Sequence, residues 1–574
     1  MLSKKILQFI AVFMVLPILG LAQVTNGSIT GSVKTADGKE LEGAAITATH
    51  IPSGTTYSTI SKKGGSFNLP GLRTGGPYVL KIEYVGFKTD IFEDFYIALG
   101  EPFNINSVLQ DQAKKLNDVT VTALRRKPQA DRTGASTQIS QRQLSTLPTI
   151  SRSITDFTRV TPQANGNSFA GRDGRYNNIQ IDGANLNNNF GLSTDALPGG
   201  GAPISIDAIE ELSVNISPFD VRQGAFTGAG INAITKSGTN TLKGSVYGLY
   251  RDQSFNGTNV KGTQLTLSPS TNKLFGATLG GAILKNKLFF FVNYEQEERS
   301  VPGIPWSPTG GSGAGNVSAT HIDSLSKLSN FLRTNYGYET GAFDNFKNFL
   351  TKSRRLLTKI DWNISKEHKL TLKYSDFESD DDQQLNGQSI SFAGGATFTV
   401  RDGSATRSFS SIPNPRFGRN SMSFQNSNYR FKNIVRTGTL ELNSNFNGKF
   451  SNQFLATITK IQSTRTFDGG VFPFIDILNN NAQNYMSVGT DPFSNNNDVI
   501  NDVYNITNNF TYYAGKHTLT FGGSYEYQRV GNMFMGASQS YYLFNSLNDF
   551  ITNQAPAGFS LTYSLVPGKP AVYS

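Results

Sequence analysis

The chain of 574 residues contains no cysteine and only four histidines. The absence of cysteine excludes disulfide scaffolds, cysteine nucleophiles, thiolate zinc sites and iron–sulfur clusters. Charged residues make up 16% of the chain, whereas about 25% is usual in soluble globular domains. With 57 Gly, 41 Phe and 22 Tyr, this composition disfavours a cytosolic α/β enzyme and favours a β-rich protein. The histidines form no closely spaced ligand pair, so we expect no histidine-based metal site: His50, His321, His368 and His517.

Long apolar runs are absent except at the N-terminus. Residues 1–22 combine Lys4 and Lys5, the apolar stretch Ile6–Leu19 and the small residues of Gly20-Leu21-Ala22, which predicts a secretory signal peptide. A membrane anchor is the alternative, although the stretch is short for a span of about 20 residues. Because no stretch after Gln23 approaches that length, a later membrane crossing requires a β-barrel.

Residues 23–110 contain short alternating segments that are separated by turn sequences such as Asp37-Gly38 and Gly75-Gly76-Pro77. Strands this short and evenly spaced predict a small β-sandwich. We expect strands at Ser28–Val33, Ala45–His50, Ser66–Leu69, Tyr78–Tyr84 and Asn104–Val108. The stretches ITGSVKTADGKELEGAAITAT and YVLKIEYVGF resemble the carboxypeptidase regulatory-like (transthyretin-type) domain, a non-catalytic module.

The next region, residues 111–240, begins with a basic linker that contains a β-prone patch at Asp118–Thr122. It continues with a Gly/Asn-rich stretch, Gly171–Gly191, whose composition alone is typical of a disordered linker. However, Ile179-Gln180-Ile181 alternates, and Ile204–Val214 has the apolar spacing of a folded element. We therefore expect a small folded domain here.

From Leu242 onward, apolar and polar residues alternate over strands of about ten residues, as in membrane-spanning strands. In one example Leu356, Ile360 and Trp362 alternate with polar residues that include Lys359 and Asp361. Every second connection is tight, whereas the others are long and polar: about Glu297–Ser353, Ser379–Lys432 and Arg465–Asn501. Short turns on one side and long loops on the other are typical of an outer-membrane β-barrel. A soluble antiparallel β-protein with one wet face is the alternative.

The order of these parts resembles a TonB-dependent outer-membrane receptor of the Oar-like branch. The motifs are LPTISRSITDFTRVTPQANG (Leu147–Gly166), SFAGRDGRYNNIQIDGA (Ser168–Ala184), PISIDAIEELSV (Pro203–Val214) and FDVRQGAFTGAGINAITKSGTN (Phe219–Asn240). Glu211-Leu212 departs from the usual Arg-Ile of these receptors, which weakens a direct analogy with siderophore receptors.

The resemblance implies a mainly β protein with a transthyretin-like sandwich, a small α+β plug domain and a transmembrane barrel of the 22-strand type. The expected bounds are 1–22 for the signal peptide, 23–110 for the sandwich, 111–135 for the linker, 136–240 for the plug and 241–574 for the barrel. From Leu242 the sequence shows only about ten or twelve strands, where a plugged barrel needs about 22. We therefore expect the chain to be an N-terminal fragment with part of its barrel missing.

The resemblance also implies a function. The expected activity is import of an extracellular ligand across the outer membrane of a Gram-negative bacterium, with energy from the inner-membrane complex delivered by TonB. The expected TonB box is Asp118, Val119, Thr120, Val121 and Thr122, which would add a strand to its partner. The expected plug-motif residues are Gly171, Arg172, Ile181, Asp182, Gly183, Gly224, Gly228 and Gly230, whose glycines would allow tight turns and close approach to the barrel wall.

Several alternatives remain open at this level. An adhesin or signalling receptor built on the same barrel would bind without transport. The ligand could be a glycan, a peptide or protein, or a metal chelate, and a surface lipoprotein is a candidate partner besides outer-membrane lipid. The sandwich resembles folds that bind starch, which is weak support for carbohydrate binding.

We find no catalytic constellation and expect neither an enzyme, nor a cofactor, nor nucleic-acid binding. The remaining candidate site is an acidic cluster in an expected outer loop, formed by Glu378, Asp380, Asp381 and Asp382. Carboxylate oxygens are suitable calcium ligands, but a solvated loop cluster is the simpler interpretation.

Overall fold

The computed structural model describes residues 24–112, 134–149, 151–187, 197–198, 202–265, 267–313, 315–387, 396–400, 405–409, 415–446, 448–479, 483–514, 517–569 and 571–573. The expected signal peptide and the expected TonB box, Asp118–Thr122, lie outside these residues.

The first part of the chain is a β-sandwich. Its strands are β1 (Gly27–Thr35), β2 (Ala45–His50), β3 (Thr55–Ile60), β4 (Ser66–Leu72), β5 (Gly75–Glu83), β6 (Asp90–Ile97) and β7 (Pro102–Leu109). One sheet has the order β4-β1-β7 and the other the order β3-β2-β5-β6. Inward residues such as Ile29, Ile46 and Leu80 are fully buried between the sheets. Strands β3 and β6 were not expected: TTYSTI is mostly polar, and three carboxylates interrupt the apolar residues of DIFEDFYI.

The second part, which we call the inner domain, comprises the described residues from 134 to 240. Its elements are β8 (Ala135–Ser140), α1 (Gln141–Thr146), α2 (Ile154–Thr158), β9 (Ala164–Asn165), β10 (Ser168–Phe169), β11 (Asn178–Ile181), β12 (Ala184–Asn185), β13 (Ile209–Ile216) and β14 (Gly230–Thr235). Five strands form one mixed sheet in the order β12-β11-β14-β13-β8. Strands β11, β13 and β14 are buried along nearly their whole length.

The third part is dominated by one antiparallel sheet, which we call the wall. The strands and helices from residue 243 are β15 (Lys243–Asp252), β16 (Asn259–Val260), β17 (Thr263–Gln264), β18 (Thr271–Leu284), β19 (Leu288–Val301), β20 (Trp306–Thr309), β21 (Asn316–His321), α3 (Ile322–Tyr336), β22 (Phe349–Asn363), β23 (His368–Gln383), β24 (Ala396–Val400), β25 (Ala405–Phe409), β26 (Met422–Ser423), β27 (Tyr429–Phe446), β28 (Phe450–Thr466), β29 (Phe474–Leu478), β30 (Asn484–Val488), β31 (Asn497–Ala514), β32 (His517–Phe534), β33 (Tyr541–Phe544), α4 (Leu547–Ile551) and β34 (Gly558–Ser560).

Among the described residues the wall has nine strands in the order β15-β18-β19-β22-β23-β27-β28-β31-β32. This is fewer than the ten or twelve strands expected from Leu242 onward. The expected alternation is confirmed: Leu357 and Lys359 are buried on the inward face, whereas Ile360 and Trp362 are exposed on the outward face. Tight turns join β18 to β19, β22 to β23, β27 to β28 and β31 to β32 at one end, the short-turn end.

The long loops at the other end fold together into a cap. Strands β26, β30, β29, β33 and β34 form its sheet, and α3 packs on it. Helix α3 buries Leu325, Leu328 and Leu332, which recur at helical spacing, and it ends at Gly337 with a left-handed φ of 64°. In the part of the chain that the structure describes, no helix is both long enough and apolar enough to cross a lipid bilayer.

The inner domain packs against the inward face of the wall. Phe291, Leu357, Phe377, Val435 and Ile461 project from five neighbouring wall strands into the core of the inner domain. The two parts therefore share a hydrophobic core.

Candidate functional site

The inner domain meets the wall at a tight turn built from Ile181, Asp182 and Gly183. Strands β11 and β12 pair through Ile181 and Ala184, so Asp182 and Gly183 form a two-residue hairpin loop. Both have positive φ, 46° and 75°. This conformation is a type I′ turn, for which Asp-Gly is a preferred sequence because glycine has no Cβ to clash at positive φ. The turn directs the Asp182 carboxylate toward the wall.

The Asp182 carboxylate is buried and has partners from two parts of the molecule. From β14, the Thr235 backbone N–H donates to Oδ1 at 2.9 Å and the Thr235 hydroxyl donates to Oδ2 at 2.6 Å. From the wall, Lys373 Nζ lies 3.2 Å from Oδ2 and Lys359 Nζ lies 3.8 Å from Oδ1. We call these four residues the latch.

The two lysines also hold backbone groups of the inner domain. Lys373 Nζ donates to the Ile181 carbonyl at 2.8 Å, and Lys359 Nζ donates to the Thr235 carbonyl at 3.1 Å. Their side chains are 1% and 7% exposed. Each buried ammonium group thus has both a charged and a neutral acceptor, as a buried charge requires.

The charge state of Asp182 follows from these contacts. Burial raises the pKa of its carboxyl, but the charges of Lys359 and Lys373 and the hydrogen bonds from Thr235 outweigh burial and lower the pKa to about 2. Asp182 is therefore ionised at neutral pH.

A second polar contact lies farther along the wall. Arg355 donates from Nε to the Ala202 carbonyl at 2.6 Å and from a terminal nitrogen to Glu295 at 3.1 Å. Glu295 also accepts from the Ser205 hydroxyl at 2.8 Å. The inner domain is thus held by two compact polar clusters together with the shared apolar core.

The expected plug-motif residues do not all lie at this contact. Ile181, Asp182 and Gly183 form the latch turn, whereas Arg172 is exposed on a loop next to Gly171. The expectation that the glycines approach the barrel wall is wrong for two of them: a Cβ on Gly228 would meet Asn177, and one on Gly230 would meet Phe226, both in the inner domain. A Cβ on Gly224 would meet no neighbouring atom within 4 Å.

The acidic cluster does not lie in an outer loop, as the sequence suggested, but on strand β23. Because side chains alternate along a strand, Asp381 points away from Glu378, Asp380 and Asp382. Glu378 pairs with Arg354 and Lys432, and Asp382 pairs with Arg430. Among the described residues, no group of three or more His, Asp or Glu is arranged to hold a metal ion.

The alternation in the sequence placed Lys359 on the polar face of a strand, but it did not indicate that Asp182 is the partner of Lys359 and Lys373. It missed Arg355 and Glu295 entirely. The only feature in the sequence that marks Arg355 and Glu295 is that each is a charged residue at an inward position of an alternating strand. An uncharged residue would cost less to bury there, so a charge suggests a specific partner.

Two family models match the chain. Residues 234–570 match an outer membrane beta barrel domain, and residues 28–110 match a carboxypeptidase regulatory-like domain. A curated relative, the TonB-dependent transporter Oar of Myxococcus xanthus, is 26% identical over 292 residues, which are 47% of this chain and 26% of the relative. The chain thus spans about a quarter of the length of that relative.

Solved structures with a similar fold include the outer-membrane transporter YddB of Escherichia coli and the siderophore receptor PirA of Pseudomonas aeruginosa. YddB is 12% identical with a TM-score of 0.48, and the match covers 74% of this chain and 51% of YddB. PirA is 10% identical with a TM-score of 0.41, and the match covers 70% of this chain and 49% of PirA.

The barrel-domain model covers more than half of the chain, and the nine-stranded wall with its short turns and long loops has the architecture that this model describes. The chain is therefore a member of the outer membrane beta barrel domain family, carries an N-terminal carboxypeptidase regulatory-like domain, and resides in the outer membrane.

Proposed function

We propose that this protein imports an extracellular ligand across the outer membrane with energy that TonB delivers from the inner membrane. The observation that carries the proposal is the inner domain, which has its own five-stranded sheet and packs against the inward face of the wall through the shared core and the latch. A domain in this position obstructs the lumen, so transport requires that it move. The curated relative is itself named a TonB-dependent transporter.

In this mechanism the latch keeps the inner domain in place until force is applied. TonB recruits the segment Asp118–Thr122 as an added strand and pulls on it. The next described element is β8, an edge strand of the inner-domain sheet. Force on that segment therefore reaches the inner domain through β8.

The TonB-box assignment is tested by binding of the purified periplasmic domain of TonB to the full protein in detergent. Strand addition depends on backbone N–H groups, which proline lacks. We expect Val121→Pro to abolish binding, whereas Val121→Ile preserves it. Undiminished binding by Val121→Pro and by a deletion of Asp118–Thr122 would show that the box lies elsewhere.

Import is distinguished from adhesion or signalling by its energy requirement. A strain that lacks the protein is grown with a polysaccharide or a peptide as sole carbon source, or with chelated iron. We expect a growth defect on one of these nutrients, and the nutrient identifies the ligand class. Uptake of that nutrient by the wild type should stop when the proton gradient is collapsed. Binding to cells that persists without uptake would favour the adhesin or receptor alternative, and co-purification would reveal a surface lipoprotein partner.

A further inference from the structure

The N-terminal sandwich docks on the short-turn end of the wall. Asn363, at the end of β22, donates to the Thr55 hydroxyl at 3.0 Å. Lys62 donates to the Tyr513 carbonyl at 3.2 Å, next to the turn between β31 and β32. Lys369 of β23 lies 4.3 Å from the centre of the Tyr57 ring, a cation–π contact. The sandwich therefore spans several neighbouring turns.

The close fit is clearest at the turn between β27 and β28. A Cβ added to Gly448, whose φ is 67°, would lie 1.9 Å from the Thr59 hydroxyl oxygen and 3.1 Å from Thr59 Cβ. The sandwich thus leaves no room for a side chain at this turn. Thr59 itself is buried.

The sandwich also contacts the inner domain. Arg73 donates to the Gly238 carbonyl at 3.1 Å, and the Leu99 backbone N–H donates to Glu211 at 3.1 Å. Pro52 accepts a hydrogen bond from the Asn240 backbone N–H at 2.8 Å. The sandwich is therefore fixed to both the wall and the inner domain.

A cavity of about 400 Å³ lies where the three parts meet. Its lining includes Arg73 of the sandwich, Asp182 and Lys236 of the inner domain, and Asp361 and Thr439 of the wall. Asp361 Oδ2 and the hydroxyls of Thr74 and Thr439 are buried there without a protein hydrogen-bond partner. Buried polar atoms of this kind are usually satisfied by water, so the cavity is suited to water and polar solutes.

We propose that the sandwich is a lid that closes this cavity at the short-turn end, which in outer-membrane barrels faces the periplasm. The cavity is then a hydrated chamber behind the latch. In this proposal a solute that has passed the inner domain is released toward the periplasm when the sandwich undocks. This release step rests on the proposed import, whereas closure of the chamber stands on the docking contacts alone.

The lid is tested with a thiol inside the chamber. The chain has no cysteine, so a single substitution gives a unique label site. Thr439→Cys is suitable because the Thr439 hydroxyl has no partner to lose. Ser365→Cys, in the exposed turn between β22 and β23, is the matched reference. Both variants of the full protein, in isolated outer membranes, react with methanethiosulfonate ethylammonium, and the labelling rates are compared.

The lid is opened by a wedge at the turn between β27 and β28. Gly448→Asn places a Cβ against Thr59, and asparagine tolerates the left-handed backbone. Gly470→Asn is the control, because Gly470 has a similar φ of 74° and no neighbouring atom within 4 Å of an added Cβ. Thr59→Ala removes the nearest clashing atom and should partly restore the closed state in the presence of Gly448→Asn.

A lid that is open about 10% of the time slows labelling inside the chamber about tenfold. We therefore expect the Thr439→Cys thiol to react about tenfold more slowly than the Ser365→Cys thiol, and Gly448→Asn to remove this difference while Gly470→Asn does not. Equal labelling of both thiols in the parent would overturn the lid, as would acceleration by Gly470→Asn to the same extent. So would slow labelling that persists both with the wedge and after deletion of residues 24–110. None of these measurements needs TonB or a transported ligand, so they are independent of the import test.

Discussion

The latch makes a specific prediction for Asp182→Asn. The substitution keeps the size of the side chain and an acceptor oxygen for Thr235, but it removes the only carboxylate that the structure places against both Lys359 and Lys373. Lys359 lies against Oδ1 and Lys373 against Oδ2, so the new amide N–H₂ is a donor that faces an ammonium group, also a donor, whichever oxygen it replaces. We expect the inner domain to open locally far more often than in the wild type.

The expected magnitude follows from two independent considerations. The pKa of Asp182 is lowered from an ordinary 3.8 to about 2, so the folded structure favours the ionised form by roughly 2 kcal/mol. Removal of one partner from a buried ion pair generally costs about 3–5 kcal/mol. A local destabilisation of about 3 kcal/mol corresponds to a roughly 150-fold increase in the open population.

Amide hydrogen exchange measured by mass spectrometry resolves this effect by segment. Peptides that cover Asn178–Asn185 and Gly230–Thr235 report on the strands beside the latch, because exchange there requires local opening. After correction for intrinsic exchange rates, the wild type should lose protection as the pH falls from about 4 to about 2. Because the folded pKa is depressed, the stabilisation is complete above 3.8 and is lost as Asp182 is protonated. The Asp182→Asn variant should show no such loss.

Two further variants test whether charge is the cause. Lys373→Met in the Asp182→Asn background removes one uncompensated ammonium and should restore part of the protection, so that the two effects are not additive. Asp173→Asn breaks an exposed ion pair with Arg175 in the same domain and should leave both segments unchanged. If Asp182→Asn exchanges like the wild type in both segments, the latch does not hold the inner domain.

Three other predictions follow from particular residues. Gly183→Val forces a β-branched residue to a φ of 75° and should destabilise the β11–β12 hairpin by about 1–3 kcal/mol, as measured by amide exchange. Gly224→Val is the control, because a side chain at Gly224 would project into open space and should leave the hairpin unchanged. Equal effects of the two substitutions would refute the turn assignment. Burial and the charges of Glu210 and Glu101 raise the pKa of Glu211 to about 7, although the hydrogen bond from the Leu99 N–H acts in the opposite direction. The packed structure therefore favours the protonated carboxyl, so the docking of the sandwich should weaken as the pH rises from about 4.5 to 7. Amide exchange around Leu99 reports on this docking, and Glu211→Gln should abolish its dependence on pH. If the exchange of the variant depends on pH as it does in the wild type, Glu211 is not the titrating group. Leu328→Ala, in the buried face of α3, should destabilise the cap by about 2–5 kcal/mol and make the long loops accessible to protease in intact cells. Lys327→Ala, at an exposed position of the same helix, is the control and should have no such effect. Equal cleavage of the two variants would mean that α3 does not organise the cap.

Much of the architecture was accessible from local patterns. Alternation along the wall strands correctly separated outward Ile360 from inward Lys359, because successive side chains of a strand point to opposite faces. The loops were expected a few residues too early: β19 extends to Val301 and β23 to Gln383. Strand β23 continues through Glu378–Asp382 because Arg354, Lys432 and Arg430 neutralise carboxylates that otherwise suggest a loop.

Local patterns in the chain establish the class of the protein, namely strand alternation, tight turns between wall strands and long loops at the other end. The Asp-Gly pair of the latch turn is also a local feature, because it tolerates positive φ. Which charges meet, in contrast, depends on how the separate parts of the molecule pack together. Asp182 lies nearly two hundred residues before Lys373, and the Gly448–Thr59 contact joins the wall to the N-terminal sandwich. Such pairs leave no local periodicity in the chain, because they form only when separately patterned surfaces pack together and bury their remaining polar groups.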